Sequence, residues 1–231
     1  MPSTHAFAEK VALITEGNTP IGRAVAMQLA LYGAFVIISH AAEDKESVDL
    51  AELESLGTLA ASAPYSKPGE EGAAETISKV QELYGRLDIL VNCPVTAPEN
   101  ARFSQIGIVA GSVWFNTMAA LPLLEKRPKP KVVNVFFACD SDKDRENGLK
   151  RAANAAIEEF TVSFADAGPA HLQVNGVKVS EFRKTEAEKL DPDLFRPTPA
   201  VDPDDVARSV LFLLSSESKG LNGQILNIAQ P

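Results

Sequence analysis

Cysteine is nearly absent from this chain: Cys93 and Cys139 are the only two, with no CxxC spacing and no Cys/His cluster beside either. That scarcity excludes a disulfide scaffold and a zinc knuckle, and it suits a reducing compartment. Positive charge is also short. Lysine and arginine number 22 against 31 aspartates and glutamates, a net charge of -9. Nucleic acid and an anionic membrane surface both repel such a chain, so neither is an expected partner. The opening MPSTHAFAEK has no apolar run, so no signal peptide is expected. No apolar run is expected to reach the roughly 20 residues that span a bilayer. These absences together predict a cytoplasmic protein. Tyrosine is sparse too, and its placement matters below: Tyr32, Tyr65 and Tyr84 are the only three.

What the chain does have is apolar content, 45% of 231 residues, enough for one full core. Short β-branched runs alternate with helix-length amphipathic segments. KVALIT (10–15), FVIIS (35–39), LDILVN (87–92), KVVNVFF (131–137), LQVNGVKV (172–179) and GQILNIA (223–229) read as strands. IGRAVAMQLALYG (21–33), SVDLAELESLG (47–57), GAAETISKVQELYG (72–85), VAGSVWFNTMAALPLLEK (109–126), LKRAANAAIEEFTVSFADA (149–167) and the proline-started DPDDVARSVLFLLSS (202–216) read as helices. Strands alternating with crossover-length helices imply an α/β doubly wound, three-layer fold of Rossmann type, its sheet mainly parallel. Residues 1–231 read as a single domain, with the Pro-rich stretch 191–205 as a surface loop.

Five segments in order resemble the short-chain dehydrogenase/reductase family, closest to its acyl-carrier-protein ketoreductase branch. EKVALIT leads into the TGxxxGIG position, YGRLDILVN into the NNAG position, KVVNV matches the IVNISS strand, LQVNGV matches IRVNAV, and DDVARSVLFLLSSESKGLNGQILNI matches the family C-terminus. The resemblance implies a seven-stranded sheet in the order 3-2-1-4-5-6-7. It also implies NAD or NADP as cofactor, with Ile21, Gly22 and Asn92 at cofactor-binding positions.

The catalytic positions depart from that pattern. The family's Tyr-xxx-Lys pair falls on Lys150 and Asn154, its serine on Phe137, and its asparagine near Ile108 or Val109. Carbonyl reduction needs a proton donor within hydrogen-bond reach of the oxygen, and Phe137 offers none. No catalytic residues are assigned, and the chain reads as a divergent member lacking the Asn/Ser/Tyr/Lys set. Phe137 is expected to project toward the substrate carbonyl's place, facing Lys150 and Asn154.

The cofactor positions depart as well. In the TEGNTPIG turn, Glu16 replaces the first glycine and Pro20 the second, leaving Gly22. A carboxylate about 5 Å from a phosphate costs roughly 3 kcal/mol at an effective dielectric near 20. Glu16 escapes that cost if it points to solvent. After the second strand neither an acid for the ribose of NAD nor an arginine for the phosphate of NADP follows; His40 stands there, read as a solvated loop histidine. NNAG has become Asn92-Cys93-Pro94-Val95, with Asn92 structural, and the family's PG after the sixth strand is Val179-Ser180. Binding of NAD or NADP is therefore expected to be weak or absent.

Asp140, Asp142 and Asp144 resemble the start of a calcium loop, but Arg145 and Arg151 fill the glycine and glutamate positions, so no metal is expected. Cys93 and Cys139 are expected to share one cleft mouth, and Trp114 to serve packing. Three functional readings stand: a pseudoenzyme acting as scaffold or silent subunit; an enzyme of altered chemistry using Lys150, Asp140 or a cysteine; and an NAD(P)-dependent oxidoreductase with an unorthodox site. The long helix and the 149–167 helix carry small and apolar faces, which predicts a homo-oligomer (dimer or tetramer) or a hetero-oligomer with an active paralogue.

Overall fold

A computed structural model describes residues 6–47, 49–93, 103–138, 147–180 and 201–229. Among these residues seven strands form one sheet: β1 Val11–Ile14, β2 Phe35–Ala41, β3 Ala60–Tyr65, β4 Ile89–Asn92, β5 Lys131–Ala138, β6 Gln173–Ser180 and β7 Ile225–Ile228. Their order is β3-β2-β1-β4-β5-β6-β7, and every pairing is parallel. The helices are α1 Pro20–Leu31, α2 Leu50–Glu54, α3 Glu70–Tyr84, α4 Phe103–Leu124, α5 Asn147–Ala167 and α6 Pro203–Leu214.

The helix ends follow local chemistry. Thr19 caps α1 by accepting the Gly22 N–H, with Pro20 at the first position. Asp202 caps α6, and Asp204 and Asp205 sit in its first turn, where the helix dipole favours negative charge. Gly85 ends α3 in the left-handed conformation, φ 64°. Side chains alternate along the buried strands between two cores. Ala12, Ile14, Val133, Val135 and Val177 meet α1 and α6 on one face. Val11, Leu13, Val132 and Val174 meet α3, α4 and α5 on the other.

Three expectations need correction. The sequence reading did not locate β3, whose AASAPY has weak strand propensity; as the edge strand it tolerates Pro64. β2 runs on to Ala41, so His40 is not in a loop. And among the described residues one helix is long and apolar enough to cross a membrane: α4 contains Gly107–Leu124, mean hydropathy 1.4, with a third of that window buried. Its apolarity has a use within the fold, because α4 packs between α3 and α5 and covers the sheet with Val113, Ala120, Leu123 and Leu124.

Candidate functional site

Parallel α/β sheets bind ligands beyond the carboxyl ends of their strands, where the strand order reverses. Here that point lies between β1 and β4. The turn leaving β1 is tightly packed against itself. A Cβ on Gly22 would lie 2.4 Å from the Glu16 carbonyl oxygen, and one on Gly17 would lie 2.6 Å from Ile38. Both glycines are thus explained by internal packing. Thr19 closes the turn, its N–H and its hydroxyl both donating to the Glu16 carbonyl, at 3.0 and 2.8 Å.

Such a helix start normally offers several N–H groups to a phosphate. In this one Pro20 has none, the Gly22 N–H is held by the Thr19 hydroxyl at 3.2 Å, and the Arg23 N–H by the Thr19 carbonyl. Of the two family positions on this turn, Ile21 keeps an N–H without an acceptor among the described residues. Asn92, the third family position, is spent on the core: its amide donates to Asn134 at 2.9 Å and Thr117 at 3.2 Å. Asn134 in turn donates to Thr161 at 2.9 Å. The chain of contacts ties β4, α4, β5 and α5 together. Among the described residues, the Asn92 Oδ1 is left buried without a partner, as is the Asn18 Oδ1 in the turn. Both orphans are acceptors, which a phosphate oxygen cannot satisfy and a hydroxyl or amide donor can.

Glu16 takes neither of the directions weighed from sequence as open solvent or bare phosphate site. Its backbone sits at φ 50°, a left-handed conformation that glycine adopts more easily. Its carboxylate accepts a hydrogen bond of 2.6 Å from the Tyr65 hydroxyl at the end of β3. The two line a cavity of about 30 Å³ with Ser39, Ser112 and Asn116, room for roughly one water. Burial raises the Glu16 carboxyl above its usual range; the Tyr65 bond draws it back, and Asp44 adds to the rise. Burial and the bond to Glu16 push the Tyr65 phenol far up. Tyr65 could not be found from sequence, because its role depends on β3 and on a partner 49 residues away.

His40 is fully buried, correcting its reading as solvated. Its Nδ1 lies 2.7 Å from the Ala41 carbonyl, which can only accept, so the proton sits on Nδ1; Nε2 lies 2.7 Å from the Ser62 hydroxyl. Cys93 is also buried, and burial with the nearby Glu16 charge raises its thiol, which stays protonated and a poor nucleophile. Cys139, Asp140, Asp142, Asp144 and Pro94-Val95 lie outside the described residues.

At the end of β5 the Phe137 ring joins the cluster on the α1 and α6 face. The ring is thus partly buried in that packing, while strand alternation aims the neighbouring Phe136 at α5, where it meets Ala153 and Ile157. Asn154 of α5 does approach Phe137, but by donating to its backbone carbonyl. Trp114 serves packing, with ring centroids 5.2 Å from Phe160 and 5.0 Å from Phe164.

Comparison with known proteins agrees with this architecture. A family model described as Enoyl-(Acyl carrier protein) reductase matches residues 17–229. The 2-dehydro-3-deoxy-D-gluconate 5-dehydrogenase of Formosa agariphila is 25% identical, over 95% of this chain and 90% of its own. The 3-oxoacyl-(acyl-carrier-protein) reductase of Thermotoga maritima is 27% identical, over 95% and 96%. Among solved structures, L-sorbose reductase from Gluconobacter frateurii, complexed with NADPH and L-sorbose, superposes with TM-score 0.83 at 18% identity, over 98% of this chain and 97% of its own. A short chain dehydrogenase from Burkholderia cenocepacia in complex with NADP gives 0.77 at 25% identity, over 97% and 98%. The sheet order, the strand-to-helix turn and the family match over nearly the whole length lead to one assignment: this chain belongs to the short-chain dehydrogenase/reductase family.

Proposed function

We propose that this chain is a family member without standard oxidoreductase activity, serving as a scaffold or as the silent subunit beside an active relative. The observation that carries the reading is the Glu16–Tyr65 hydrogen bond. It links the ends of β1 and β3 across the end of β2, the stretch of edge where folds of this kind recognise a dinucleotide's ribose. Seating NAD or NADP there requires breaking that bond and leaving a carboxylate beside phosphate. At about 5 Å this costs roughly 3 kcal/mol, around a hundredfold in affinity. The residues present therefore fit a dinucleotide poorly.

The reacting end supports the same reading. No tyrosine stands on α5, where Lys150 and Asn154 occupy the family's catalytic pair, and Phe137 stands for the serine. An assembling role has support of its own in the apolar groups left exposed on α4 and α5: Ile108, Trp114, Met118 and Val162.

A second reading, an NAD(P)-dependent oxidoreductase with an unorthodox site, is favoured by the names of the relatives, which are dehydrogenases and reductases. Titrating NADH and NADPH into wild type, Glu16→Gly and Pro20→Gly at one ionic strength separates the two. We expect wild-type dissociation constants weaker than about 100 μM, tightened by up to about a hundredfold in Glu16→Gly and less in Pro20→Gly. Low-micromolar binding by wild type, or an unchanged affinity in Glu16→Gly, would overturn the first reading in favour of the second.

A further inference from the structure

The amino end of the sheet, opposite the Glu16 turn, holds a cavity of about 450 Å³, within the size range of small-molecule sites. Its walls combine an apolar body with cations. Phe7, Ile89 and Leu214 supply the first; Lys10, before β1, with Lys129 and Lys131 at the start of β5, supplies the second.

The charges at this cavity run against the chain as a whole. The segment Glu125–Lys131 carries four cations and one acid in a protein of net charge -9. Asp88, 2% exposed, is already neutralised: Arg86 holds it through two bonds of 2.8 and 2.9 Å, Arg127 through one of 3.0 Å, and Lys10 stands 3.7 Å away. Glu217 is the other carboxylate in the lining. Lys131 is fixed in the wall, donating to the Leu213 and Ser215 carbonyls at 3.2 and 2.5 Å and to the Ser218 hydroxyl at 3.3 Å. Lys129 has no ion-pair partner among the described residues. Burial, and then repulsion from Lys129, pulls the Lys131 ammonium down to about 8. Lys10, Lys129 and Lys131 thus share one space with only Glu217 and the already paired Asp88 as carboxylates in the lining.

We propose that this cavity is a binding site for a small carboxylate with an apolar body: Lys129 and Lys10 receive the carboxylate against the fixed charge of Lys131, and Phe7, Ile89 and Leu214 cover the hydrocarbon. The site lies at the opposite end of the strands from the dinucleotide position and does not depend on the reading given above.

The test uses sodium hexanoate titrated into the full chain, followed by backbone amide chemical shifts, with 1-hexanol as the uncharged control. The expected result is saturable shifts centred on Phe7, Ile89, Lys131 and Glu217, weakened by added salt. Lys129→Gln, an exposed position whose change leaves the fold intact, and Lys10→Gln should each weaken hexanoate binding about fivefold. Circular dichroism checks that both variants are folded. No saturable shift at tens of millimolar hexanoate would overturn the proposal. So would equal binding of hexanol, or an affinity unchanged in both folded variants.

Discussion

Glu16 is a carboxylate placed where burial disfavours its charge, in a backbone conformation that disfavours its side chain. Because its folded pKa is raised, ionising it opposes folding. That penalty is absent below the ordinary value of 4.5, grows as pH rises toward the folded pKa, and is fully present above it. Glu16→Gln keeps an acceptor for the Tyr65 hydroxyl and removes the titration. We expect the variant to be more stable than wild type at pH 7.5, with the difference shrinking toward zero at pH 4. Urea unfolding at the two pH values checks this; an equal difference at both would mean that desolvation of the charge is not the cause. The identity of residue 16 was visible in the sequence, and so was its conflict with a phosphate. Its partner was not, because nothing near Glu16 in the chain points to Tyr65.

Among the elements, α1 depends on the turn that precedes it. A methyl on Gly22 would meet two backbone groups, the Glu16 carbonyl oxygen at 2.4 Å and the Gly17 Cα at 2.7 Å, neither able to rotate away. Gly22→Ala should therefore destabilise by about 2–3 kcal/mol, as overpacking does. Gly107, inside α4, has nothing within 4 Å of an added Cβ. Gly107→Ala should instead stabilise by roughly 0.5–1 kcal/mol, the helix-propensity difference between the two residues. Denaturant midpoints of the pair measure both signs, and a mild Gly22→Ala would show that the turn is looser than its contacts indicate. Element type was legible where periodicity was strong, as in α5 and β5. It failed at β3, where alanine, serine and proline form a strand only because β2 offers them a hydrogen-bonding edge.

For the molecule as a whole, the exposed apolar groups of α4 and α5 set the expectation of assembly. Trp114 is 38% exposed and Met118 44%. We expect a two-fold assembly through this surface, formed with a second copy or with an active relative. Sedimentation velocity of wild type at micromolar concentration should show a dimer or larger species, and Met118→Glu should shift it toward monomer. A monodisperse wild-type monomer would contradict the self-assembly. Met118 suits this test better than Trp114, whose ring also packs on Phe160 and Phe164, so that its loss would confuse folding with assembly.

The α/β alternation was legible in the amino-acid sequence from its hydrophobic period, while the order of the sheet and the residues at the family's catalytic positions came with the family resemblance carried by its motifs. Tertiary structure decided what each residue does there. His40 looked like a loop residue until β2 and β3 brought Ser62 to its ring. Phe137 was placed correctly in the chain, yet the strand's alternation turns its ring to the α1 and α6 face. Asn92 became part of the core through Asn134, 42 residues on, and Glu16 found Tyr65 across the end of β2. Each of these contacts joins residues far apart in sequence. Strand pairing brings them together, and because parallel neighbours are joined by crossovers of a dozen or more residues, neither partner is marked in the sequence around the other.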